Sequence, residues 1–132
     1  MKKQIISTPS APAAIGPYSQ AILVTADSGE QTLYASGQIA IDPSTGNFVD
    51  GDIVAQTQQV LNNVSAILAA AGMDFSNVVK TTCMLSDIAE FSAFNEIYGS
   101  KFPAGAAPAR STFQVAALPK GAKVEVEIIA VK

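Results

Sequence analysis

A single arginine, Arg110, stands in this chain of 132 residues beside seven lysines and no histidine. A guanidinium is planar and permanently charged, and it grips a carboxylate or phosphate through two parallel hydrogen bonds that an ammonium cannot reproduce. Arg110 follows Gly105-Ala106-Ala107-Pro108 and precedes an apolar run from Phe113 to Leu118, so it stands at the mouth of a strand as a candidate anion hook. Glu125 and Glu127 lie two residues apart and share one face of a later strand, where either carboxylate can orient and deprotonate a water. Tyr18 follows the rigid segment Pro9 to Pro17, which can hold its ring in one place. Ser36 and Gln38 flank Gly37 inside an otherwise apolar strand, and a glycine there marks a bulge or a close backbone approach. Each residue also has a plainer reading: a surface arginine, solvated strand carboxylates, a half-buried ring, and a small packing residue at 36.

Composition removes several chemistries. Without histidine, Ser-His and Cys-His nucleophilic pairs are absent, and one cysteine leaves neither a disulfide nor a zinc site. Cys83 falls in mid-strand and is expected to be a buried, inert thiol. Catalysis would rest on carboxylates, hydroxyls, lysine, arginine or bound water, and no metal is expected. A net charge of −3 and the lone arginine argue against nucleic acid as a main partner, which would need clustered cations. Hydrophobic residues make up 48% and charged ones only 14%, which points to surface buried between subunits. The apolar stretch after Met1-Lys2-Lys3 is too short for a secretion signal, and no stretch approaches the ~18 apolar residues of a membrane span. The expected location is the cytoplasm.

The elements that position these residues form a single domain over residues 1–132. Residues 7–17 read as an extended arm. Ala21 to Thr25 and Leu33 to Ile41 read as a strand hairpin around the turn Asp27-Ser28-Gly29-Glu30. Asp52 to Ala71 is the strongest helix, with Ile53, Val60, Leu61, Val64, Ile67, Leu68 and Ala71 on its apolar face, Asp50 or Asp52 suited to its N-terminus and Gly72 as its stop. Gln56, Gln59, Asn62, Asn63 and Ser65 fall on the opposite face. A strand over Val78 to Leu85, a helix from Asp87 to about Tyr98, and strands over Ala109 to Ala116 and Lys123 to Val131 complete the order. In the last strand Val124, Val126, Ile128 and Ala130 point towards the helices, while Glu125, Glu127, Ile129 and Val131 point away. A sheet apolar on both faces is covered on both, and two helices cover only one. Another subunit is expected on the other.

Six markers in this order carry a family likeness: Ala14-Ile15-Gly16-Pro17-Tyr18-Ser19-Gln20, Ser36-Gly37-Gln38-Ile39, Gln58 to Asn63 with Ala70-Ala71-Gly72, Val79-Lys80-Thr81-Thr82, Pro108-Ala109-Arg110-Ser111, and Leu118-Pro119-Lys120 with Val124-Glu125-Val126-Glu127. Along essentially its whole length the chain resembles the RidA/YjgF family, the reactive intermediate imine deaminases. The resemblance implies a chorismate-mutase-like α+β fold, a mixed sheet with two helices on one face, and a homotrimer with ligand clefts between subunits. It implies hydrolysis of small 2-imino acids, such as 2-iminobutyrate and 2-iminopropionate with its tautomer 2-aminoacrylate, to 2-keto acids and ammonia, without a cofactor. Catalytic positions map to Arg110, Glu125 and Tyr18. Substrate-binding positions map to Arg110, Ser36, Thr112, Tyr18 and Asn95, and Asn95 alone reads as a helix-surface amide. Thr112 stands where many members carry a cysteine, so a thiol role cannot be carried over, whereas a backbone role at that position can. Two other classes remain: a non-catalytic regulator that binds small carboxylates, and a ribonuclease or translation inhibitor, the weakest reading for so acidic a chain.

Overall fold

Asp52 and Gly72 bracket the longest helix in the computed structural model, which describes all residues from Met1 to Lys132. The Asp52 side chain accepts from the Ala55 amide at 2.8 Å and caps helix α1, Ile53–Ala70. Gly72 takes a left-handed φ of 69° and ends it. The apolar stripe of α1 is buried as its spacing predicts. Two polar residues are not where the pattern put them: Gln56 and Asn63 are each only 1% exposed. Gln56 donates to the Gly51 carbonyl at 3.1 Å and accepts from the Lys123 amide at 2.9 Å. Asn63 donates to the carbonyls of Ile39, at 3.2 Å, and Ile41, at 2.9 Å. Irregular backbone packed against a helix needs such donors, and apolar periodicity cannot reveal them.

Six strands make one mixed sheet: β1 (Lys2–Ile6), β2 (Ala21–Thr25), β3 (Gln31–Ala35), β4 (Val78–Leu85), β5 (Ala109–Gln114) and β6 (Val124–Val131). Their spatial order is β1-β2-β3-β6-β4-β5. Only the β4–β5 pair is parallel. The expected hairpin is β2–β3. The first strand, β1, was not among the expected elements; it is a short edge strand whose Lys2 and Lys3 keep it from pairing further. Helix α2, Phe91–Gly99, follows a 3-10 turn at Ile88–Glu90, whose Ala89 amide is capped by Asp87 at 2.9 Å.

Val124, Val126, Ile128 and Ala130 are buried under the helices. No element of the chain covers the other face, where Tyr34 is 51% exposed and Val79 and Val131 are also open. The second expected strand was to run to Ile41 but stops at Ala35. Tyr34 pairs with Ile129 and Gln38 next pairs with Val126, so three residues face two and the strand carries a bulge at Ser36-Gly37.

The clamp on the bulged segment sets a stability prediction. Asn63→Ala takes one of two donors from the Ile39 carbonyl and leaves the half-buried Ile41 carbonyl unpartnered, which should cost about 1–2 kcal/mol. The exposed neighbour change Asn62→Ala should stay within about 0.5 kcal/mol. Urea midpoints of the two variants decide the matter; equal midpoints would show that Asn63 is not a clamp.

Candidate functional site

The proline-rich arm is tied down by one buried amide. Gln20 accepts from the Thr8 amide at 2.7 Å and donates to the carbonyls of Thr8, Ala11 and Pro12 at 3.0, 3.2 and 2.8 Å. The arm then turns at Gly16, whose carbonyl accepts from the Tyr18 amide at 2.8 Å. This routing lays the arm along a cleft of about 490 Å³ shared by Tyr18, Ser36, Gln38, Lys120, Glu125 and Glu127. Tyr18 is 53% exposed, so its phenol is free to meet a ligand. The Ser36 hydroxyl donates to the Ser19 carbonyl at 2.6 Å and stitches the strand to the arm, which leaves its lone pairs to accept.

Glu125 lies against the bulge. A β-carbon at position 37 would sit 2.1 Å from its Oε1, so any side chain there would push the carboxylate from its present place. Burial and then the charge of Glu127 push the Glu125 carboxyl above its ordinary value of 4.5. Tyr18, Ser36 and Glu125 are thus brought together, with Glu127 beside them. Lys120 was missed as a cleft residue. It sits in the turn Pro119–Gly121 with φ 58°, the one non-glycine residue in the left-handed region. Its sequence signal was only that of a turn.

Arg110 belongs to a different group. It lies opposite Thr81 in the parallel β4–β5 register, and Thr112 lies opposite Cys83. Thr81 and Cys83 are buried beneath α2, so Arg110 and Thr112 point to the helix side. Glu125 lies opposite Met84 and points to the uncovered side. One guanidinium nitrogen, Nη1, donates to Asn95 Oδ1 at 2.7 Å. The guanidinium carbon is 4.6 Å from the Tyr98 ring centre and 5.3 Å from that of Phe91. No carboxylate of the chain pairs with Arg110, and its other donors are free for a ligand. Asn95 therefore holds the arginine. Thr112 Oγ1 is buried without a hydrogen-bond partner, and the Cys83 thiol opposite it donates to Thr81 Oγ1 at 3.9 Å. Burial pushes that thiol up, which suits an inert cysteine. Arg110, Asn95 and Thr112 form one group and Tyr18, Ser36 and Glu125 another, on opposite faces of the sheet. Within one chain the two groups do not meet.

Comparison with known proteins places the chain in company. A family model described as endoribonuclease L-PSP matches residues 8–132. A mouse protein named 2-iminobutanoate/2-iminopropanoate deaminase is 52% identical over 130 residues, covering 98% of this chain and 92% of the mouse protein. A crystal structure of the Rid-family protein YyfA from Yersinia pestis superposes with a TM-score of 0.91 at 50% identity and covers 98% of each chain. The E. coli protein TdcF, crystallised with bound serine, superposes with a TM-score of 0.86 at 40% identity over 98% of each chain.

The raised Glu125 carboxyl predicts a stability signature. Its folded value lies above 4.5, so the folded state binds the proton more tightly and stability falls as pH rises through that window. Glu125→Gln should therefore raise the melting temperature at neutral pH, and the gain should vanish below pH 4.5. A variant that melts below the parent chain at neutral pH would show that the carboxylate is satisfied by something else.

Proposed function

This chain belongs to the RidA/YjgF family, and we propose that it hydrolyses small 2-imino acids and their enamine tautomers to 2-keto acids and ammonia in a cleft built between two copies of itself. The observation that carries the reading is the split of the site: a free arginine fork on one face of the sheet and a poised carboxylate on the other. A substrate that touches both must lie between subunits. Copies joined so that the arginine face of one meets the glutamate face of the next can close into a ring, and the ring we propose is the trimer that the family resemblance implies. The uncovered sheet face, with Tyr34, Val79, Ile129 and Val131, supplies apolar area for such an assembly. The deaminase name of the mouse relative and the serine bound to TdcF, an amino acid with a single carboxylate, support the substrate class.

The chemistry follows from the groups present. Arg110 clamps the substrate carboxylate and so fixes the C=N carbon next to it. Glu125 holds a water, takes its proton as the oxygen adds to that carbon, and returns a proton to the nitrogen. The resulting carbinolamine expels ammonia and leaves the keto acid. Tyr18 hydrogen-bonds the nitrogen or the carboxylate, and Ser36 accepts from the imine N–H. An imine is reactive already, so orientation supplies most of what is needed. The setting we propose is the cytoplasm. The acidic chain, with one arginine, offers RNA no basic track.

Ammonia and 2-ketobutyrate release from freshly generated 2-iminobutyrate tests the reaction; a rate no higher than in buffer would end it. Arg110→Ala should lower kcat/KM by about 100-fold or more. Arg110→Lys should be nearly as damaging, because charge without the planar fork does not orient the carboxylate.

The split site can be tested apart from the arginine. Sedimentation equilibrium should give three times the 13.6 kDa chain mass. Mixing and refolding inactive Arg110→Ala with inactive Glu125→Gln should restore activity at about a quarter of the sites. No recovery from well-mixed trimers would place both residues in one subunit's site.

A further inference from the structure

Helix α2 presents Phe91, Asn95 and Tyr98 at i, i+4 and i+7, along one face. All three meet the Arg110 guanidinium: Asn95 through the 2.7 Å hydrogen bond, and the two rings at 5.3 and 4.6 Å. Tyr98 is the most firmly held. It is buried, and its hydroxyl shares a 2.8 Å hydrogen bond with Thr81 Oγ1. Thr81 is itself buried and is the register partner of Arg110 on β4. Its ring is also packed at 4.9 Å from Phe102 and 5.5 Å from Phe94. The platform beneath the arginine is therefore fixed from the strand, from the helix and from the loop after it.

A ring and an amide do different things to a guanidinium. The ring face attracts it and defines its plane. The amide fixes its rotation within that plane. With both in place the unused edge of the fork has one direction. We propose that Tyr98, seconded by Phe91, is a positioning residue for the imine hydrolysis: its ring sets the plane in which Arg110 offers its fork to the substrate carboxylate. The inference rests on the reading of Arg110 as the carboxylate clamp. Orientation matters because the reacting carbon is bonded to that carboxylate. A tilt of the fork swings the carbon away from the water held by Glu125 of the neighbouring copy.

Two measurements test it. Arg110 is the only arginine, so its side-chain N–H resonances need no assignment among rivals. In the parent chain and in Tyr98→Phe they should be ring-current shifted, with slow rotation of the Nη groups. In Tyr98→Leu they should move to the averaged positions of a mobile arginine. In turnover, Tyr98→Phe should stay within about 3-fold of the parent kcat/KM because the ring remains. Tyr98→Leu should fall by about 10- to 100-fold. Added to Arg110→Ala, Tyr98→Leu should cause no further loss, since it acts only through the arginine. Unchanged arginine resonances in Tyr98→Leu, or losses that multiply in the double variant, would overturn the proposal. If Tyr98→Leu does not fold, Phe91→Leu, at the half-buried second ring, is read by the same criteria. A parent chain without imine hydrolysis would overturn the deaminase reading alone, because the resonances still decide whether the ring holds the arginine.

Discussion

Glu125 occupies the space that any side chain at position 37 would need, and much of the molecule follows from that exclusion. With glycine at 37 the backbone comes close to the carboxylate, and the strand bulges at Ser36-Gly37 to allow it. The bulge ends β3 and turns the carbonyls of Ile39 and Ile41 out of the ladder. They are taken up by Asn63, which must then be buried in the face of α1. On the other side of the bulge, Ser36 bonds the Ser19 carbonyl, and Gln20 beside it gathers the arm from Thr8 to Pro12. One half-buried acid, one glycine, the buried amides of Asn63 and Gln20 and the half-buried Ser36 hydroxyl thus form a continuous system, with the cleft as its outcome. The raised carboxyl of Glu125 is the local cost of this arrangement.

Much of the fold was legible because it follows from repeated patterns. Alternation in the last strand told which residues face the helices, Gly72 marked the end of α1, and its start was narrowed to Asp50 or Asp52, of which Asp52 is the cap. Gly37 inside an apolar run announced its close approach. What was not legible depends on partners far away in sequence. Gln56 and Asn63 look like solvent-facing amides until the loops they serve are placed against them. Lys2 to Ile6 has no alternation of its own and becomes a strand only because β2 offers an edge. Asn95 looked like a helix-surface amide until Arg110 was laid across it, 15 residues further along.

The candidate site shows the same limit most sharply. Arg110 and Glu125 lie on strands consecutive in sequence, and it is natural to picture them side by side. The sheet order puts β4 between them, parallel to one and antiparallel to the other. Register then decides the faces: Arg110 opposite buried Thr81, Glu125 opposite Met84 on the uncovered side. Register is a property of the folded pairings, and a one-residue slip would have reversed the outcome. The residue types were readable from the chain; their separation by the sheet was not.

That separation has an electrostatic consequence. Glu125 and Glu127 share the cleft, with Lys120 as its only cation. An anionic substrate entering beside two carboxylates is repelled, and at ~4–6 Å in a half-buried site such repulsion amounts to several kcal/mol. Neither Cys83 nor Thr112 offers a covalent way round this. Cys83 is buried with its thiol pushed up, and the Thr112 hydroxyl has no base beside it to activate it. On the proposed reading attack falls to water at Glu125, in the very place where an anion is least welcome. On the same reading, the guanidinium that makes the anion tolerable comes from the next subunit. Assembly then does more than bury apolar surface. It brings the compensating charge to the carboxylates, so a dissociated chain would retain Glu125, Tyr18 and Ser36 in place and still fail to hold its substrate.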